Sequence, residues 1–207
     1  MIKHIVGISS IVLCFAVAAK AQEFYAHVDL ESGTPTFQCG GCHSGTPEWE
    51  DYTSPDQGNY LGVNLTGGMS VDLGGNFFSS LEGSIMVPIS GEFLGEGNGT
   101  SIDYATRARV ILGYQLDKAD IYAAVGASLW KGPALTMFND YESGSDTASG
   151  FNAAIGMNVD ITESSKLQLE VFLEEITGVP YYSDVDEFLG PMRMQITGVR
   201  LGTEINF

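Results

Sequence analysis

The sequence predicts an all-β chain that folds as an eight-stranded antiparallel transmembrane β-barrel. Three observations predict it. The N-terminus has the features of an export signal, eight segments carry apolar residues at every second position, and the connections between these segments alternate between short and long. A two-residue period is typical of strands whose two faces meet different surroundings.

Residues 1–21 have the features of a signal peptide. Lys3 gives a basic start, residues 5–19 form an apolar run, and Ala19-Lys20-Ala21 fits the small-x-small rule for cleavage. The run is shorter than the roughly 20 apolar residues that a spanning helix needs, which disfavours a retained anchor. We expect the mature chain to comprise residues 22–207 and to form one barrel domain.

The charge of the chain excludes one class of partner. The 26 Asp and Glu residues outnumber the 9 Lys and Arg residues, and the formal net charge is −17. We expect no binding to nucleic acid, because the phosphate backbone would repel such a chain. No second apolar run approaches the length of a spanning helix, so a membrane-embedded mature chain has to be a closed barrel.

Eight alternating segments are close to the ~10 residues that a tilted strand needs to cross a bilayer. In the fifth, for example, Ile121, Val125 and Leu129 share one face. The segments are 23–30, 59–71, 77–88, 102–115, 121–131, 151–161, 166–176 and 194–207. Aromatic residues near the segment ends predict interfacial girdles: Tyr25, Tyr60, Phe77, Phe78, Tyr104, Tyr114, Trp130, Phe151 and Phe207.

The connections between the segments alternate in length, which is typical of an outer-membrane barrel with short periplasmic turns and long extracellular loops. A soluble β-sandwich does not predict this rhythm. The short connections are Asp72–Asn76, Asp117–Asp120 and Thr162–Ser165, and the long ones are 31–58, 89–101, 132–150 and 177–193.

The last segment ends on Phe207, with apolar residues at alternate positions from Val199 onward. With this end, the signal peptide and the eight segments, the mature chain resembles the small outer-membrane barrels typified by the OmpA membrane domain, OmpX and the Opa adhesins. The resemblance implies location in the outer membrane, contact with outer-membrane lipid and lipopolysaccharide, and folding by the barrel-assembly machinery. We expect a monomer, because a closed barrel has no free edge.

The positions between the apolar ones are expected to fill the lumen, and they are polar, small or charged. Because an unpaired buried charge costs several kcal/mol, we predict a luminal ion-pair network. It joins Arg107, Arg109 and Arg200 to Glu82, Glu170 and Glu204. The network either plugs a barrel that side chains just fill or gates a narrow pore, as the OmpA resemblance suggests. We favour the plug.

One motif competes with this interpretation. Residues 39–43 read Cys-Gly-Gly-Cys-His, the attachment signature of c-type haem, which would use Cys39, Cys42 and His43. The motif falls in the predicted first loop, where few aromatic residues could enclose haem. A Cys39–Cys42 disulfide and metal or redox chemistry at the same residues are the alternatives, and we expect the disulfide and no cofactor.

Three function classes follow from these features. The first is a non-enzymatic surface barrel whose extracellular loops carry a structural or interaction role. The second is a haem-carrying or electron-transfer barrel. The third, a lipid hydrolase, lacks a credible triad, because His27 and His43 are the only histidines of the mature chain. His43 is next to Ser44 but in a cysteine-bearing loop far from any matching strand motif, and His27 has no nucleophile placed to use it. We expect the first class, with no catalytic residues and no metal site.

Overall fold

The computed structural model describes residues 22–40, 49–52, 59–90, 102–132, 135–136, 147–182 and 188–207. Eight long strands and two short ones form one sheet. The strands are β1 Gln22–Gly40, β2 Trp49–Tyr52, β3 Tyr60–Gly74, β4 Phe77–Ser90, β5 Tyr104–Gln115, β6 Ala119–Lys131, β7 Leu135–Thr136, β8 Thr147–Thr162, β9 Ser165–Tyr182 and β10 Phe188–Asn206. The eight long strands correspond to the eight predicted segments. Among the described residues, no helix is long and apolar enough to cross a membrane.

The eight long strands close on themselves. Each is antiparallel to the next, and β10 pairs with both β9 and β1, so the barrel has no open edge. Paired residues followed once around the wall lead from Gly62 to Asp72, ten positions along β3. This stagger corresponds to a strand tilt of roughly 40° and to a lumen that side chains can fill. The predicted fold class is therefore confirmed.

The connections separate the two ends of the barrel. At one end, here called the short-turn end, β3–β4, β5–β6 and β8–β9 are joined by two or three residues. The first of these turns has Gly74, Gly75 and Asn76 at positive φ, and Asp72 accepts a hydrogen bond from the Gly74 amide at 2.7 Å. Residues of these types adopt such conformations at the lowest cost. The opposite end, here called the long-loop end, carries the remaining connections, as the sequence predicts.

The outward side chains form an apolar belt around the barrel. Most are about half exposed, and they come from every long strand. A continuous apolar surface of this size would be unstable in water, so the belt has to be covered by lipid. The belt includes Val28, Leu30, Leu65, Leu81, Ile85, Val110, Leu112, Ile121, Val125, Leu129, Ile155, Leu167, Leu169, Val171, Leu173, Val199, Leu201 and Ile205.

Three strands continue at least six residues beyond the predicted segments at the long-loop end. β1 extends to Gly40 rather than to residue 30, β9 extends to Tyr182, and β10 begins at Phe188. The predicted loop 31–58 therefore starts too early, and the predicted loop 177–193 shrinks to residues 183–187. The outward residues of β1 change from Leu30 to Ser32 and Thr34 while the strand continues. The outward residues therefore stop being apolar at the edge of the belt, although the strand itself continues.

Several aromatic residues predicted for the girdles face inward instead. Phe77, Tyr104 and Phe151 are exposed outward, as predicted, but four others are buried in the lumen: Tyr25, Tyr60, Phe78 and Trp130. Tyr25, Tyr60 and Phe78 each lie opposite a glycine of the paired strand: Gly68, Gly33 and Gly113. A Cβ atom at any of these glycines would lie 2.1–2.5 Å from the opposing ring. The absence of a side chain is what lets each ring lie against the backbone of the neighbouring strand.

A candidate functional site in the barrel lumen

Inward positions of five strands, β1, β4, β5, β9 and β10, bring charged side chains together midway along the lumen. Alternation along each strand turns these side chains away from the belt, and barrel closure brings them within hydrogen-bonding distance. The network contains nine charged residues, all nine-tenths or more buried: His27, Asp29, Glu31, Glu82, Arg107, Arg109, Glu170, Glu174 and Arg200.

Glu31 of β1 is the central acceptor in the part of the network that is nearer to the long-loop end. It is fully buried and accepts from Arg107 Nη1 at 3.0 Å, from Arg107 Nη2 at 2.8 Å and from Arg200 Nε at 2.6 Å. Tyr60 Oη also donates to it. Two guanidinium groups and a hydroxyl therefore compensate one carboxylate, which is the condition under which a charge can remain in a closed interior.

Arg107 connects Glu31 to the wall formed by β9. Its Nε donates to Glu174 Oε2 at 3.0 Å, and Trp130 Nε1 donates to Glu174 Oε1 at 2.8 Å. The guanidinium carbon of Arg107 lies 5.3 Å from the centre of the Trp130 ring, within the range of a cation–π contact. Glu174 is thus held by one cation and one neutral donor on the long-loop side of the network.

Glu170 is shared by two arginines. Arg109 Nη1 donates to both of its oxygens at 2.8 and 2.9 Å, Arg200 Nη1 donates to Oε1, and Tyr122 Oη donates to Oε2 at 3.0 Å. Arg109 also binds Glu82, through Nε at 3.0 Å and Nη2 at 2.5 Å. A continuous series of charge-assisted hydrogen bonds therefore runs from Glu82 to Glu170 and on to Arg200.

His27 adds a fourth cation to the network. Gln168 Nε2 donates to Tyr122 Oη at 2.7 Å, and this hydroxyl donates in turn to Glu170. The other amide atom of Gln168, Oε1, is therefore the acceptor that faces His27 Nδ1 at 2.8 Å. His27 Nε2 lies 3.2 Å from Glu82 Oε1, which accepts when Glu82 is ionised. These two contacts match a ring that carries a proton on both nitrogens, the imidazolium form.

The short-turn end of the lumen has a second, smaller set of charges. Lys166 Nζ lies 2.5 Å from Asp120 Oδ2. Asn158 Nδ2 donates to Glu204 Oε2 at 3.2 Å. Glu204 lies in register with His27 of β1 and Lys166 of β9, so opposite charges alternate across these three strands.

The structure brings five of the six predicted network residues together and separates the sixth. Glu82, Arg107, Arg109, Glu170 and Arg200 are joined as described, whereas Glu204 contacts Asn158 and forms no ion pair with the described arginines. The prediction of an Arg–Glu204 pair is therefore wrong, because the register places Glu204 nearer the short turns. Sequence reasoning also missed Glu31 and left Glu174 out of the network, although both continue the inward alternation of their strands.

The Cys-Gly-Gly-Cys-His run lies mostly outside the described residues. The backbone of Cys39 belongs to β1, in register with Met192 of β10 and Glu50 of β2, which corrects its predicted place in a loop. Cys42 and His43 fall between β1 and β2, where the structure describes nothing. Among the residues that are described, no three His, Cys, Asp or Glu side chains converge as a metal site.

Solved structures of other small barrels are similar to this one. Neisserial surface protein A has a TM-score of 0.50 and 10% sequence identity, covering 91% of this chain and 100% of its own. Ail of Yersinia pestis has a TM-score of 0.46 and 8% identity (89% and 99% covered), and the outer membrane protein AlkL has 0.48 and 14% (92% of each). No family model and no curated protein matches the sequence. The likeness to Neisserial surface protein A shows that the chain has the fold of a small eight-stranded outer-membrane barrel.

Proposed function

We propose that this chain is a sealed, non-enzymatic barrel of the bacterial outer membrane, whose long-loop end carries a structural or surface-interaction role. The observation that carries the proposal is the filling of the lumen. The ion-pair network crosses the middle of the barrel, and its charged side chains are nine-tenths or more buried. A barrel closed in this way presents only its belt and its two ends to other molecules.

A second layer supports the seal on the long-loop side of the network. It consists of large side chains with no exposed surface in the described structure, and they close the lumen above Glu31 and Glu174. Ions would have to cross this apolar layer even if the ion pairs rearranged, which carries a large desolvation cost. The layer is formed by Tyr60, Met86, Trp130, Ile176, Met194 and Ile196.

The apolar belt supports the proposed location. Outer-membrane lipid and lipopolysaccharide would cover the belt, and the barrel-assembly machinery would insert the chain. The geometry of His27 supports a non-enzymatic role, because both of its ring nitrogens are occupied by Gln168, Asp29 and Glu82. A histidine committed in this way has no free nitrogen with which to take a proton from a nucleophile.

Conductance across planar lipid bilayers tests the seal. We expect the wild-type chain and the variants Arg107→Ala and Arg200→Ala to give no channel steps, because the apolar layer remains in all three. A porin inserted under the same conditions is the positive control. Steady channel steps in the wild type would overturn the proposal, and steps that appear only in the arginine variants would instead support an ion-pair gate.

A further inference from the structure

The described part of the lumen holds more acids than bases. Seven carboxylates are buried there: Asp29, Glu31, Glu82, Asp120, Glu170, Glu174 and Glu204. Five basic groups face them, and this count includes the His27 imidazolium: His27, Arg107, Arg109, Lys166 and Arg200. Two negative charges are left over, and in a closed interior they call for further compensation.

One carboxylate contributes directly to this excess. Glu204 is 6% exposed, and within the described chain it is the one buried luminal acid without an ion pair. Its hydrogen bond comes from the neutral Asn158 amide, which cannot offset its charge. Two basic residues lie in register with Glu204, and each is bound to other acids: His27 of β1 to Asp29 and Glu82, and Lys166 of β9 to Asp120.

Asn158 supplies an independent sign of a missing ligand. The side chain is 7% exposed, and its Oδ1 atom has no hydrogen-bond partner in the structure. A buried carbonyl oxygen left in this state is unusual and costly. Asn158 and Glu204 both line a cavity of about 30 Å³, which reaches the short-turn rim at Glu23 and Asn206. The cavity is large enough for one water-sized ligand.

We propose that this cavity binds a monovalent cation, an alkali-metal ion or ammonium, from the periplasmic side. The Glu204 carboxylate supplies the charge, and the Asn158 Oδ1 atom supplies a neutral oxygen ligand. Oxygen ligands of these two kinds are those that hard cations prefer. A divalent ion is disfavoured, because no three His, Cys, Asp or Glu side chains converge among the described residues.

Thermal unfolding of the full-length mature chain in detergent tests the proposal. The probes are NaCl, KCl and NH4Cl, each compared at equal ionic strength with the chloride of N-methylglucamine, which is too large for the cavity. We expect at least one small cation to raise the Tm of the wild type by about 3 °C. Comparison of the three salts separates the alkali metals from ammonium.

Two variants and one matched control make the result specific. Glu204→Gln and Asn158→Ala should both lose the difference between small and large cations. Asn152→Ala should keep it: Asn152 also lies on β8, is 1% exposed and has no partner on either amide atom, but it does not line the cavity. The proposal fails if the wild type shows no difference between the cations. That result is expected if the cavity holds only water, or if Glu204 is protonated. It also fails if Glu204→Gln retains the difference.

A direct measurement covers the case in which a variant does not fold. The wild type should broaden the ²³Na NMR line, and KCl or NH4Cl should reverse the broadening where N-methylglucamine chloride does not. An unbroadened line, together with no change in Tm, would contradict a site for any of these cations.

Discussion

Replacing Arg200 with methionine is expected to lower the free energy of unfolding by about 3–5 kcal/mol. Arg200 is 2% exposed and bridges Glu31 and Glu170 through Nε and Nη1. Methionine keeps most of the side-chain volume but removes the cation, so both carboxylates lose a shared partner in the closed lumen. Unfolding in guanidinium chloride, followed by tryptophan fluorescence in detergent, measures the change.

The matched control for this variant lies seven residues away on the same strand. Arg193 pairs with Glu175 at 3.7 Å, and both side chains are almost half exposed. An ion pair at such a site contributes little, so Arg193→Met is expected to cost less than about 1 kcal/mol. Equal costs for the two variants would contradict the view that the luminal arginines stabilise the barrel by compensating buried acids.

The variant Gly113→Val is expected to cost about 3 kcal/mol or more, because the new side chain collides with the Phe78 ring. Gly113 and Phe78 are cross-strand partners, and a Cβ atom at residue 113 would lie 2.1 Å from the ring. The double variant Gly113→Val with Phe78→Ala should cost less than the sum of the single variants by at least about 1 kcal/mol, because the ring that causes the collision is gone.

Gly83→Val is the control for this pair. Gly83 also lies in a strand, but it faces outward, and nothing lies within 4 Å of the position of its Cβ. The same loss of backbone freedom in the unfolded chain applies at both sites, so a difference between them reports the contact with the ring. Additive costs for Gly113→Val and Phe78→Ala would argue against the pairing of luminal glycines with aromatic rings.

The eight strands and the two faces of the wall could be predicted because lipid contact imposes a two-residue period. The predicted end of the first strand was wrong for the same reason. Outward residues remain apolar only within the bilayer, and β1 continues for ten residues beyond Leu30 with polar outward positions. Glu31 was lost from the predicted network at that false boundary, although it continues the inward series of His27 and Asp29.

The choice of partners within the lumen could not be predicted from alternation. Alternation shows that Arg107 and Glu204 both face inward. The stagger of the strands around the barrel decides which inward residues lie at the same height along the barrel axis. That stagger places Arg107 against Glu31 and Glu174, and it places Glu204 near the short turns. Contacts such as that between His27 and Glu82, 55 residues apart, depend on the closure of the whole wall.

The most direct test of a sealed transmembrane barrel compares two residues of β9 that face opposite ways. Leu169 is 48% exposed in the belt, and Phe172 is 2% exposed in the lumen. Each would be replaced by tryptophan in a chain whose own tryptophans are changed to phenylalanine, and the protein would be reconstituted in vesicles.

We expect brominated lipid to quench the fluorescence of Leu169→Trp strongly and that of Phe172→Trp weakly, and aqueous acrylamide to quench neither. Quenching of Phe172→Trp by acrylamide would show a water-filled lumen, and a Leu169→Trp signal insensitive to brominated lipid would show that the belt does not face the bilayer.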